Sequence, residues 1–325
     1  MNKTIQFLFI SIVLFLSGCL QKVDSELFAS QQRVVIDGLI TNEAGPYFVR
    51  VAKSSTRIGD FKFDPTQNLG YHRKVDGNLV YEPIKDAVVT IEDDMGNVDV
   101  LELWDEPSRW PEVVATWADL GMYRTTTQMR GVAGHTYTLT VVYEGQKYES
   151  VVTIPPLSTS IDEVKFEPVN FSGTDTPTGA YIPFVSFQEP QNSKDYYMFF
   201  YRDNPPPSLQ NPRPEKFWTM LFGEYLIFDD KFLVENTQSL SLQPNNHSLE
   251  LPYVADFSTI NTITVEMHSI SAEAFDYYQA LNEQIKNDGG AYSAAPASPP
   301  TNISNGALGF FRASSINRIE KDIKP

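Results

Sequence analysis

Thr136-Tyr137-Thr138-Leu139-Thr140-Val141-Val142-Tyr143 alternates, Glu144-Gly145-Gln146 turns the chain, and Lys147-Tyr148-Glu149-Ser150-Val151-Val152 brings it back. Successive side chains of a strand point to opposite faces, so alternation with period two marks a strand with one buried side. Two such runs joined by a short turn containing glycine make a β-hairpin. This hairpin is the clearest local pattern in the chain, and it sets the class as mainly β.

Working outward, the same grammar recurs. Arg33 to Ile40 and Tyr47 to Ala52 flank a turn at Asn42-Glu43-Ala44-Gly45-Pro46. Ala87 to Glu92 and Val98 to Leu103 flank Asp93-Asp94-Met95-Gly96-Asn97, and Gly121 to Thr125 adds another strand. Residues 54–82 are polar and contain glycine, which predicts a long loop. Short strands with turn residues between them predict an immunoglobulin-like β-sandwich over residues 33–155. Ile154-Pro155-Pro156 ends it, because consecutive prolines cannot continue a central ladder.

The remainder, residues 156–325, reads as a second β-rich domain. Its strand candidates are Tyr181 to Phe187, Tyr196 to Arg202, Phe217 to Phe228, Lys231 to Glu235 and Thr262 to Ser269. One helix is predicted near 272–286. Ser271 stands at its N-cap, Glu273 lies in its first turn, and Ala274, Tyr278, Leu281 and Ile285 fall on one face. Gly289-Gly290 stops it, and an aromatic strand is expected at Gly309-Phe310-Phe311.

Composition bounds the chemistry. The formal charge of the 325 residues is −16, which argues against nucleic acid as a partner, since that needs a clustered basic surface. The single cysteine, Cys19, leaves no internal disulfide, so core burial must hold the fold. A hydrophobic content of 42% is sufficient for that.

Cys19 sits in Leu16-Ser17-Gly18-Cys19, after the apolar run Ile5 to Leu16 and the basic Lys3. A basic start, an apolar stretch and small residues at the cut make a secretory signal, here over residues 1–18. The run is shorter than the roughly 20 apolar residues of a membrane span. With the cysteine directly at the cut, it resembles the bacterial lipoprotein signal, which implies lipidation of Cys19 and a tether over residues 19–32. Asp24 and Glu26 in that tether are read either as an export signal or as ordinary solvated linker.

Candidate chemistry is sparse. His72, His135, His247 and His268 show no metal-binding spacing, and there is no P-loop, Gly-x-Gly-x-x-Gly or Gly-x-Ser-x-Gly. No catalytic residue, metal or cofactor is expected. Asp93-Asp94 and Asp229-Asp230 allow two readings: calcium ligands, although each loop offers only a few of the about 6–8 oxygens calcium takes, or turn residues, since Asp-Asp-x-Gly-Asn suits a β-turn. Trp104, Trp110 and Trp117, with Arg109 between them, allow two readings: a loop contacting a partner or ligand, or side chains filling a seam.

Val34-Val35-Ile36-Asp37-Gly38-Leu39-Ile40-Thr41, Gly45-Pro46-Tyr47, Gly131, Gly134, Tyr137-Thr138-Leu139, Tyr148, Tyr277-Tyr278, Asn302-Ile303 and Gly306 to Phe311 follow the lipobox in order. Together they resemble the domain-of-unknown-function 4249 family of Bacteroidota lipoproteins. That family has no established activity, and its members are commonly encoded beside TonB-dependent outer-membrane receptors. The resemblance implies a lipoprotein anchored in the cell outer membrane, on its surface face in preference to the periplasmic one. Its expected partners are membrane lipid through Cys19 and a TonB-dependent receptor, for which it would be a non-enzymatic accessory or ligand-binding protein. The alternatives are an anchored hydrolase whose site is assembled from loops, and a structural or adhesive surface protein.

Overall fold

The structure is a computed structural model. It describes residues 32–54, 74–75, 78–79, 82–107, 115–168, 181–204, 225–242, 262–286 and 299–322. Among the described residues the chain is mainly β with one α-helix, and its strands form a large mixed sheet, a three-stranded sheet and a two-stranded ribbon. Cys19, most of the tether, Arg109 and Trp110 lie outside the described residues.

In chain order the first strands are β1 (Val34–Thr41), β2 (Phe48–Lys53), β3 (Lys74–Val75), β4 (Asn78–Leu79), β5 (Glu82–Pro83) and β6 (Val88–Asp93). They are followed by β7 (Val98–Leu103), β8 (Met122–Arg124), β9 (Thr136–Tyr143) and β10 (Gln146–Thr153). Next come β11 (Ile161–Pro168), β12 (Tyr181–Gln188), β13 (Tyr196–Asn204), β14 (Leu226–Asp229) and β15 (Asn236–Ser241). β16 (Thr262–Ser269), the helix α1 (Ala272–Lys286) and β17 (Leu308–Asp322) complete the order.

The predicted hairpin is β9–β10. Tyr143 pairs with Gln146, and Glu144 (φ 48°) and Gly145 (φ 74°) both take positive φ. That is the two-residue turn whose twist matches the strands, and glycine adopts it without a Cβ clash.

The large sheet runs β10-β9-β6-β7-β8-β2-β1-β17-β16-β13-β14, with β5 beside β2. Its first eight strands surround one core that includes Ile36, Ile40, Val49, Val51, Ile91, Leu101, Tyr123, Tyr137, Leu139, Val141 and Phe311. The ring is drawn together at Ser304, just before β17. Its backbone N donates to the Glu149 carbonyl at 2.8 Å, and its hydroxyl accepts from the Glu149 N at 2.8 Å.

β17 is the hinge of the architecture. Residues 308–314 pair with β1 in parallel, and residues 315–322 pair with β16 antiparallel. The aromatic run of β13 lies in the same sheet and is buried on both faces, as its unbroken apolar sequence requires. Tyr197 and Phe199 join a core with β11, β12 and β16. Met198, with Tyr196 and Phe200 beside it, packs on α1. β11-β12-β15 is thus laid on one side of the sheet and α1 on the other.

The helix has the expected bounds. The Ser271 hydroxyl accepts from the Ala274 N at 3.2 Å, and Ala274, Tyr278 and Leu281 face the sheet. Lys231–Glu235 differs from expectation. Asp230–Phe232 is a 3-10 turn and β15 begins only at Asn236. The Asp229 carboxylate accepts from the Lys231 N at 3.0 Å, which turns the chain, and Phe232 and Val234 face solvent.

Candidate functional site

Three carboxylates meet where β12, β13 and β14 end together. Glu189 follows β12, Asp195 precedes β13 and Asp230 follows β14. Tyr196 pairs with Asp229, so Asp195 and Asp230 extend the ladder by one rung. The Asp230 N donates to the Asp195 carbonyl at 3.1 Å, and the Asp195 N donates to Asp230 Oδ2 at 2.9 Å. The Glu189 N is held by the Glu235 carbonyl at 2.7 Å. One carboxylate oxygen from each of Glu189, Asp195 and Asp230 lies within 4.8 Å of the others.

Electrostatically the three differ in what answers their charge. Lys194 bridges Asp229 and Asp230, and Lys231 reaches Asp229 at 2.9 Å. Burial works against ionisation of Asp229, but Lys194 and Lys231 outweigh it and hold its pKa well below the usual carboxylate range. Ser193 Oγ donates to Asp195. Glu189 is only 3% exposed, and neither of its oxygens has a hydrogen-bond partner. Burial pushes its pKa up to about 7; the nearby Tyr197 hydroxyl opposes the shift, and the Asp195 and Asp230 charges add to it. Every side chain offered here presents oxygen, which is the donor set of a hard cation. Sequence reading named Asp229 and Asp230 but missed Glu189 and Asp195. Their separation along the chain matches no motif, and only the strand ends bring them together.

The other candidates lie elsewhere. Trp104 and Trp117 are 5% and 3% exposed and stack at 4.8 Å with 5° between their planes. Phe48 closes on Trp104 at 4.8 Å. Trp117 opens the 3-10 turn Trp117–Leu120, held because the Asp119 carboxylate accepts from the Thr116 N at 3.0 Å and pairs with Lys85 at 2.6 Å. At Asp93-Asp94 the oxygens serve the turn. Asp93 Oδ1 accepts from the Met95 and Asn97 N at 3.0 and 2.8 Å, and Asp94 Oδ1 meets His135 Nδ1 at 2.7 Å.

His268 of β16 is fully buried, edge-on to the Phe200 ring at 4.8 Å. Its Nε2 stands 3.1 Å from Glu266 Oε2, and its Nδ1 stands 3.2 Å from Ser314 Oγ. Arg318 reaches Glu266 at 2.7 Å and Glu43 at 3.0 Å. His72 and His247 lie outside the described residues.

The outer face of β10-β9-β6-β7 is open. Val88 sits opposite Val142, Thr90 opposite Thr140 and Val100, and Glu92 opposite Thr138 and Val98. Val88, Val98, Val100, Val142 and Val151 are 37–63% exposed. Beside it, a cleft of about 350 Å³ includes Arg33, Lys53, Tyr143, Glu144 and Asn305 in its walls, at the start of β1.

No curated protein matches the sequence. The family model described as domain of unknown function (DUF4249) matches residues 21–320, and the chain belongs to that family.

Proposed function

We propose that this member of the DUF4249 family is an outer-membrane lipoprotein, held by a lipid on Cys19, that serves a TonB-dependent transporter as a non-enzymatic accessory or ligand-binding partner. The observation that carries the reading is Leu16-Ser17-Gly18-Cys19 after an apolar run, with no second cysteine to offer another role. The open valine and threonine face of β10-β9-β6-β7 supports it. Side chains that favour strands stand exposed there in register, as a docking surface requires. An anchor in the same membrane also confines both partners to one surface, which raises their effective concentration. The finer architecture belongs to the same proposal: an immunoglobulin-like sandwich over residues 33–155 and a second domain from 156, sharing β17. The antiparallel hairpins β6–β7 and β9–β10 around one core support it.

The test is a pull-down of the tagged full-length protein from membranes solubilised in mild detergent. A barrel transporter should co-purify. In the Cys19→Ala variant the lipid, and with it most of the recovery, should be lost. Recovery of the lipoprotein alone in several detergents would sink the reading.

A further inference from the structure

A buried carboxylate without a hydrogen-bond partner is costly, and like charges a few ångströms away add to the cost. Glu189 stands in that position. Lys194 answers Asp229 and Asp230 directly, yet neither Glu189 oxygen has a hydrogen-bond partner, and the Tyr197 hydroxyl and the Lys194 charge ease its burial only from nearby. One Glu189 oxygen lies within 4.8 Å of a carboxylate oxygen of Asp195 and one of Asp230. We propose that Glu189, Asp195 and Asp230 bind a calcium ion, with Ser193 Oγ at the margin of the site and water completing the shell.

Three features select this cation. Ligand atoms are oxygens only, with no histidine or cysteine in the cluster, which excludes a preference for zinc or copper. Oxygens held by one calcium at about 2.3–2.6 Å can stand up to about 5 Å apart. The observed limit of 4.8 Å fits that span. Magnesium, at about 2.0–2.1 Å, would require the three strand ends to contract. With only three protein carboxylates the affinity expected is that of extracellular modules, about 10⁻⁴–10⁻³ M. The ion would tie the end of β12 to the β13–β14 hairpin, beside the turn that carries Phe232 and Val234.

The test uses the full mature chain stripped with EDTA, titrated with calcium chloride by calorimetry and followed in parallel by thermal melting. Wild type should bind in the submillimolar to millimolar range and gain several degrees in Tm. Glu189→Gln should lose at least tenfold in affinity and most of the Tm gain. Asp195→Asn is the second variant, should Glu189→Gln fail to fold, and it should behave the same way. The proposal is overturned if wild type shows neither heat nor a Tm shift at millimolar calcium. It is equally overturned if the shift persists in the folded variants, or if magnesium produces an equal shift, since both results describe screening of an acidic surface.

Discussion

The guanidinium carbon of Arg312 stands 5.3 Å from the centre of the Tyr278 ring, so a charge on β17 is roofed by an aromatic side chain from α1. Phe200 of β13 approaches the same guanidinium at 5.4 Å, and Nη1 contacts the Met198 sulfur. Arg312 is 1% exposed, and its Nε has no hydrogen-bond partner. Aromatic faces and packing replace a carboxylate here, and they join three elements that are distant in sequence.

Truncating and replacing Arg312 should therefore have different effects. Arg312→Ala leaves a void under α1 and is expected to cost about 3–4 kcal/mol. Arg312→Met keeps volume without a buried charge and should stay within about 1 kcal/mol of wild type. Urea denaturation of the protein measures both. Equal losses would show that the charge, and not the packing, holds this layer.

His268 predicts a pH dependence. Burial pushes its pKa down from 6.5 to about 4, the Glu266 hydrogen bond opposes the shift, and the Arg312 charge adds to it. Its contribution is full above the unfolded value, where both states are neutral. As pH falls from 6.5 towards 4 the unfolded chain takes the proton first, so stability is lost over that window. The difference amounts to at most about 3 kcal/mol. His268→Gln removes this slope, so its deficit against wild type should shrink between pH 7 and pH 4 in matched denaturation curves. A constant deficit would refute the assignment.

Gly309 has φ +94°, and a Cβ there would stand 2.1 Å from the Ile36 carbonyl oxygen. Gly306 has φ +75° with open space around it. Gly306→Ala should cost about 1 kcal/mol from the backbone conformation alone. Gly309→Ala should cost at least about 2 kcal/mol more, because it also forces β1 and β17 apart. Thermal melting of the two variants side by side checks the order.

Trp104 and Trp117 give a test that separates packing from contact. Each is buried against the other, so Trp104→Ala is expected to cost about 3–5 kcal/mol. Trp104→Phe should recover part of that loss. An unchanged melting temperature together with lost partner binding would instead assign the pair to recognition.

Local order was legible in the sequence because it has local causes. Period two gave β9 and β10, β-branched runs gave β7 and β16 at their observed bounds, and the Ser271 cap with its apolar stripe gave α1. Polar residues hid other strands. β11 carries Asp162, Glu163, Lys165 and Glu167, and β15 carries Asn236, Gln238 and Ser239. Both are strands because β12 lies between them and supplies their hydrogen bonds, not because of their own propensity.

By itself the sequence determined the class, the principal strands, the helix and the lone cysteine that follows an apolar run. These follow from side-chain period, capping and composition, each set by neighbours along the chain. Only the tertiary structure decided that β17 runs parallel to β1 and then antiparallel to β16. Only it sealed Arg312 beneath Tyr278, and gathered Glu189 with Asp195 and Asp230. The physical reason is common to all three. Sheet pairing joins residues without regard to their separation in the chain, so which charges meet depends on which strand ends meet.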